Sequence, residues 1–598
     1  MKRPLIYNNT RSKRPKLVCP LYSENTHNNN YVSASDVYNF MVGDSLVDWL
    51  KLSSVSRNIV NNHNHNKESV FKDYILDKGK EFESKLVNYI NDNIENIVKV
   101  SDYITDISCN KTIELIKNGV PIIYSAPIRN NYNNTKGIID LLVRSDYINK
   151  LTTIPSLTTE ETQIKGSKLS GLYHYVVVDI KFSTLQLRSD GKHLQNSEHL
   201  PAYKSQLLIY TQGIGRIQGY TAPYAFIIGR RTKYTKNGIS TNDYNCLERM
   251  GKIDYANLDK KYIKETRKAI NWVNNVRKNG NNWIVNPPSN IQLYPNMCKD
   301  SGYWNNEKYK IAEEIKEITT IWNVGKKHRD IAIENGIYSW TDVRCTANNL
   351  GIKGNNAIII DKILNINRQN THKLLPLKIK TNKYHWKNIN RNEVFVDFET
   401  ISDIFSNFEE LPKQKSSDMI FMIGVGWYEN NKWNYNNYVC NEATYDEEYR
   451  IMDEFVRFIK GKNKPYLNYW CAENKFWENA ECRQFDIATN HERKSNILDN
   501  WKLTKWSDLY SIFKEEPIVI KDCFNFGLKS IAKAMKKHNM INIEIESNCN
   551  SGMTAMVKAI QFYKGESSYD IMKDISKYNE FDCKVLWEIL LYLRKNHI

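Results

Sequence analysis

The chain has 598 residues, enough for several domains, and at 41% hydrophobic and 25% charged it can bury a sizeable core. No apolar run approaches the roughly 18 residues of a membrane span. No secretory-type apolar segment follows the N-terminus, so a soluble intracellular protein without a membrane partner is expected. The 84 Lys+Arg against 67 Asp+Glu leave a formal charge of +17, which points to a polyanion, nucleic acid before an anionic membrane surface. Heavy use of Asn, Lys and Ile reads as the mark of an AT-rich genome. The 11 cysteines are scattered without a C-x-x-C pair. They read as free thiols of a reducing compartment rather than zinc or iron–sulfur ligands.

Residues 1–30 read as a polar, disordered tail whose basic cluster Arg11 to Lys16 suits a nuclear address or a DNA-gripping arm. From YVSASDVYNF a helix is expected, capped by Ser33 or Ser35, with the stripe Val37, Phe40, Met41 and Trp49 or Leu50. NIVNNHNHNKES, with His63 and His65, reads as a solvated loop. VFKDYILDKGKEFESKLVNYI reads as a helix broken at Gly79. GIIDLLVRS, YHYVVVDIKF and APYAFIIGRRTKY read as strands, and HLPAYKSQLLIYTQG as a helix. From about 303 to 385 the pattern turns helical. Within it NVGKKHRDIA followed by NGI suits a helical linker or a hairpin that grips DNA backbone. KIKTNKYHWKNIN forms a basic bridge. Beyond 390, EVFVDFETI is a strand, FMIGVGWYE and KWNYNNYVC a hairpin around Asn430 and Asn431, and DIMKDISKYNEFDCKVLWEILLYLRKN one or two amphipathic helices.

Four elements in the first half carry chemistry in a fixed order: G-K-E-F-E with Glu83, G-I-I-D with Asp140, D-I-K with Asp179 and Lys181, and Q-L-L-I-Y with Gln206 and Tyr210. On a strand, residues i and i+2 share a face, so Asp179 and Lys181 point together while Ile180 enters the core. Carboxylates at the ends of buried strands are costly unless paired or bound to a cation. Two or three oxygen ligands suit Mg²⁺ or Mn²⁺. Such an ion lowers the pKa of a bound water, and a lysine beside it stabilises developing negative charge.

This ordered set resembles the RecB-like branch of the PD-(D/E)XK nucleases. The resemblance implies a restriction-endonuclease-like core over 31–300. It further implies Glu83, Asp140 and Asp179 as metal ligands, Lys181 as the catalytic lysine, and Gln206 and Tyr210 as an auxiliary pair. Some members add a four-cysteine iron–sulfur clamp. No cysteine cluster follows Tyr210 here, so none is expected.

In the second half, Asp397 and Glu399 lie two apart on a strand, and Tyr578 lies four residues before Asp582, a helical same-face spacing. Glu473 and Asp508 lie between. These residues resemble the DEDD exonucleases of the RNase H-like fold, and most closely the domain fused behind RecB-like nucleases in bacteria and large DNA viruses. The resemblance implies Asp397, Glu399, Glu473 and Asp582 as metal ligands with Tyr578 beside them. Asn468 stands where that family has a histidine, and Asp508 is either a supporting residue or an alternative third acid.

The expected architecture is an α/β multidomain chain: the first nuclease domain, a helical segment over 301–388, and an RNase H-like domain over 389–598. The expected function is metal-dependent DNA hydrolysis. That means an exonuclease with endonuclease action on single strands or flaps, gripping phosphates through Arg230, Arg231, Lys233 and the basic bridge. A helicase is a candidate partner, and the host cytoplasm, a viral factory or the nucleus the compartment. Two alternatives stand beside it: the C-terminal site as the main 3′ exonuclease on DNA or RNA, and a nucleic-acid-binding scaffold with decayed sites.

Overall fold

The computed structural model describes residues 31–56, 69–402, 408–414, 418–543, 549 and 551–598. The basic tail and the loop with His63 and His65 lie outside them. The protein is an α/β chain with mixed sheets and many helices.

The first half is built on eight strands: β1 (Val32–Ser33), β2 (Ile97–Lys99), β3 (Ile122–Asn130), β4 (Thr135–Arg144), β5 (Tyr175–Gln186), β6 (Tyr224–Lys236), β7 (Ile239–Asp243) and β8 (Gly251–Asp254). They run in the order β2-β3-β4-β5-β6-β7, with β1 on β4 and β8 on β6. β4 pairs antiparallel with β5, and β5 parallel with β6. Both faces are covered, so β5 reads as the continuous apolar run YVVV rather than an alternation. Helix Leu200–Gln218 packs Leu207, Leu208 and Ile214 into one of the two cores, opening with Pro201 in its first turn and closing at Gly219 in the left-handed region. Helix Ser69–Asn93 puts Phe82, Leu86 and Ile90 into the other.

Two local expectations are corrected. Helix Ser69–Asn93 runs unbroken through Gly79. A mid-helix glycine costs about 1 kcal/mol, and burial of Phe82, Leu86 and Ile90 one to three turns on outweighs it. The single helix expected after Ser33 is instead a 3₁₀ turn Ala34–Val37, a short helix Tyr38–Met41 and a helix Leu46–Ser56. Gly43, at φ +79°, turns the chain between them, which the stripe pattern does not reveal.

The helical stretch holds Asn305–Ile315, Lys326–Glu334 and Asn355–Arg368. NVGKKHRDIA forms the second of these, and the chain turns at Gly336. Ile337, Ile360 and Ile363 share one core with Met535, Val585 and Leu586 of the C-terminal helices. Trp386 of the basic bridge is fully buried there, its Nε1 donating to the Thr381 carbonyl at 3.1 Å.

A two-stranded ladder pairs β9 (Leu374–Leu375) with a later strand. The main second sheet comprises β10 (Glu393–Ile401), β11 (Met419–Glu429), β12 (Lys432–Val439), β13 (Tyr466–Tyr469) and β14 (Trp506–Asp508), in the order β12-β11-β10-β13-β14. Asn430 and Asn431 turn the β11–β12 hairpin with φ 53° and 58°, the left-handed pair a two-residue turn needs. The last helix is continuous over Asp570–Asn596 and lays Tyr578 and Asp582 on its buried face. Among the described residues no helix is long and apolar enough to cross a membrane.

Candidate active sites

The first cluster forms where β4 and β5 part. Their ladder ends at Leu141 opposite Val178, and the next residue on each strand is Asp140 and Asp179. Asp140 Oδ2 accepts from the Ile180 N–H at 2.8 Å, which anchors it across the gap. β5 then shifts register against β6 between Lys181 and Thr184. Such an irregularity re-aims side chains at a sheet margin. Asp179 is 1% exposed, and Lys181 Nζ lies 2.5 Å from its Oδ2. The Lys181 side chain keeps about a fifth of its surface open, at 21%. Glu83 reaches the cluster from helix Ser69–Asn93 and accepts from the Tyr124 hydroxyl at 3.1 Å.

Electrostatics bind these groups into one unit. Burial, then the neighbouring Asp140, pushes the Glu83 carboxyl up to about 7. The same two causes hold Asp179 well above the carboxylate range. Burial works against the Lys181 ammonium, but Asp179 and Asp140 outweigh it and keep the lysine charged. Gln206 Nε2 donates to the Tyr210 hydroxyl at 3.1 Å, one helical turn apart. Tyr210 is buried against β4 at Gly137, where a Cβ would lie 2.3 Å from its ring. The glycine of G-I-I-D therefore makes room for the tyrosine of Q-L-L-I-Y.

The basic exit from β6 is less open than its sequence suggests. Arg230 is 8% exposed, with its guanidinium 5.4 Å from the Phe182 ring. Arg231 Nε donates to Thr184 Oγ1 at 2.7 Å, and Lys233 is exposed. Arg230 is buried and Lys233 faces solvent.

The second cluster gathers on β10. Asp397 and Glu399 share a face, and Asp582 and Tyr578 come from helix Asp570–Asn596. Glu473 stands at the first turn of helix Glu473–Ile487. Burial, then Asp582, Glu399 and Glu473, raises Asp397 well above its ordinary range. Burial followed by Asp582 raises Glu399 to about 8, and burial alone leads the rise of Glu473 to about 8. Burial raises Asp582 to about 6, opposed by Lys529 and the Tyr578 hydroxyl. Asp508 ends β14, near enough to Glu473 for its charge to act on that carboxyl. Its Oδ1 accepts from the Cys471 N–H at 3.1 Å and so braces the turn that carries Glu473. Asn468 is fully buried in β13, its Nδ2 donating to the Val394 carbonyl and to Glu393 Oε2, each at 3.3 Å.

Two further residues belong here that the motifs do not mark. Asn579 Nδ2 donates to Asp397 Oδ2 at 2.7 Å, and its Oδ1 accepts from Tyr435. Lys529, from helix Leu528–Lys537, contacts the Tyr578 hydroxyl and lies 3.9 Å from its ring centre. Asn579 is visible in hindsight as the residue beside Tyr578 that shares the face of Asp582. Lys529 carries no spacing signal, because only the fold brings its helix against helix Asp570–Asn596.

Both donor sets are oxygen-only, the chemistry of Mg²⁺ or Mn²⁺. Asp179 Oδ1 and Asp582 Oδ1 are buried without a hydrogen-bond donor, as expected of atoms whose partner is a cation. Among the described residues no three His, Cys, Asp or Glu side chains meet as a group that could hold a metal ion. No family model matches the chain, and no curated protein matches it.

Proposed function

We propose that the protein is a metal-dependent deoxyribonuclease whose principal site is the Glu83–Asp140–Asp179–Lys181 cluster. The observation that carries this is the buried Asp179 at a parted strand end, its Oδ2 on Lys181 and its Oδ1 without a donor, with Asp140 acting on both Asp179 and Glu83. A restriction-endonuclease-like core for the first half and an RNase H-like core for the second are the fold readings that go with it. Mg²⁺ or Mn²⁺ held by Glu83, Asp140 and Asp179 would supply charge neutralisation and an acidified water. Lys181, kept charged by its carboxylate neighbours, stabilises negative charge at the attacked phosphate. Gln206, braced by the buried Tyr210, orients groups beside the site, and the +17 chain attracts the DNA. The activity read from this is exonucleolytic, with endonucleolytic action on single strands or flaps.

A second reading makes the C-terminal cluster the main 3′ exonuclease on DNA or RNA. Four mutually coupled carboxylates with Tyr578 at hand favour it. End-labelled single- and double-stranded DNA, and RNA, incubated with Mg²⁺, Mn²⁺ or EDTA, separates the two. Lys181→Ala is expected to cut DNA hydrolysis about 100-fold or more, with Asp397→Ala much milder. The reverse ranking transfers the activity to the second site. Intact nucleic acid under every condition leaves a binding scaffold.

A further inference from the structure

A row of aromatic rings leads away from Lys181. Its Nζ lies 5.3 Å from the Tyr203 ring centre. Tyr203 lies 6.4 Å from His199, with planes at 33°. The His199 and Tyr38 ring centres lie 5.9 Å apart with planes within 18°, so the two rings sit side by side, nearly coplanar. The row joins helix Leu200–Gln218, which carries Tyr203, to the short helix Tyr38–Met41. His199 precedes the first of these helices and is exposed, while Tyr38 and Tyr203 keep part of their surface open. The Tyr38 hydroxyl bonds His199 Nδ1, which fixes the histidine ring in plane with the row.

Packing alone does not account for this arrangement. A ring needed only to fill space between two helices belongs in a core, yet the middle ring faces solvent. Lys72 and Lys299 are near enough to act on His199, with Glu198 the opposing acid and Asp300 3.6 Å from Lys72, and Lys181, paired with Asp179, closes the row at the other end. Partly open, pre-aligned rings bordered by lysines form the kind of surface that single-stranded nucleic acid uses, bases on the rings and phosphates on the cations.

We infer that Tyr38, His199 and Tyr203 form a stacking platform for an unpaired base of single-stranded DNA next to the phosphate at Lys181. The inference rests on the nuclease reading, because it takes the phosphate beside Lys181 as the one to be cleaved. It gives that reading a substrate preference: the strand enters unpaired, and base identity matters little because every base has a face to stack.

The test is binding, so that hydrolysis does not intervene. The full chain in EDTA is titrated into end-labelled single-stranded DNA, followed by anisotropy, using oligonucleotides in which one abasic position is walked along the strand. Wild type is expected to show a loss of about 5- to 100-fold at one position and little elsewhere, the range seen when one stacked base is removed. His199→Ala and Tyr38→Leu are expected to lose that position dependence. Tyr38→Phe and His199→Phe keep a ring and are expected to retain it, and a 2-aminopurine at the sensitive position is expected to be quenched by wild type and Tyr38→Phe alone among the Tyr38 variants. A uniform profile in wild type, or an unchanged sensitive position in His199→Ala and Tyr38→Leu, overturns the platform while leaving the nuclease reading intact. No binding of any DNA by folded wild type overturns the nuclease reading and the platform together.

Discussion

Phe408 stands edge-on to Phe182, ring centres 5.5 Å apart at 89°, and equally close to Phe82. Phe182 is the neighbour of Lys181 on β5, whereas Phe408 belongs to the connection between β10 and β11, just beyond Asp397 and Glu399. Nearby, the Cys246 N–H donates to the Pro412 carbonyl and the Gln414 N–H to the Tyr244 carbonyl. The chain leaving the second acid cluster thus forms part of the wall of the first. Phe408 is 3% exposed. Phe408→Ala is expected to cost about 3–5 kcal/mol in denaturant unfolding. It should also weaken hydrolysis assigned to Lys181 more than Asp397→Ala does, since Phe182 loses its support.

The raised carboxyls set a pH signature. Glu83 stands at about 7, and Glu399 and Glu473 at about 8. Groups raised in the folded state contribute stability that is complete below the ordinary carboxylate range and is lost as pH rises through the folded values. Ion-free protein is therefore expected to lose melting temperature between pH 6 and about 8. Mn²⁺ should restore it, by about 2.7 kcal/mol at a hundredfold excess over Kd. Binding near pH 7 should release protons, visible by calorimetry in buffers of different ionisation enthalpy. Asp179→Asn should remove only the part of that release that belongs to the first cluster.

Each cluster depends on a glycine opposite a helix side chain. A Cβ on Gly424 would lie 1.6 Å from Asn579 Oδ1, and one on Gly137 would lie 2.3 Å from the Tyr210 ring. Gly424→Ala is expected to push Asn579 off Asp397, costing about 1–3 kcal/mol and abolishing the second site's Mn²⁺-dependent thermal shift. Gly137→Ala should do the same to the first site through Tyr210. Separate titrations in the background of the other site's Asp→Asn variant check each one.

Asp48 offers a pH effect remote from both clusters. It is buried, accepts from Asn39 Nδ2 at 2.6 Å and Trp272 Nε1 at 3.0 Å, and burial raises it to about 7 despite those bonds. Its contribution is present at low pH and lost as pH rises through about 7. Asp48→Asn keeps the Trp272 bond and, with Asn39 turned over, the second bond as well. The variant is expected to melt higher than wild type above pH 7 and equally only below about pH 4, a difference on the order of a few kcal/mol. Equal melting curves at pH 8 sink the prediction.

The strands that carry Asp140, Asp179 and Asp397, the helix of Gln206 and Tyr210, and the hairpin at Asn430 and Asn431 were all legible in the amino-acid sequence. Their signals are local: apolar runs of strand length, residues two apart on a strand or four apart on a helix, and an Asn pair that tolerates positive φ. The unbroken helix through Gly79 was not legible, because a propensity near 1 kcal/mol yields to burial decided by distant residues. Nor was the burial of Arg230, since a basic residue at a strand exit reads as solvated until Phe182 is known to lie against it.

The tertiary structure alone decided which side chains meet. Asn579 and Lys529 join the second cluster, Phe408 supports the first, and Tyr38 reaches His199, through contacts between segments far apart in the chain. Backbone periodicity specifies the face on which a side chain lies. The partner across that face depends on how sheets and helices pack, and that packing is settled by the burial of the whole chain rather than by any one motif.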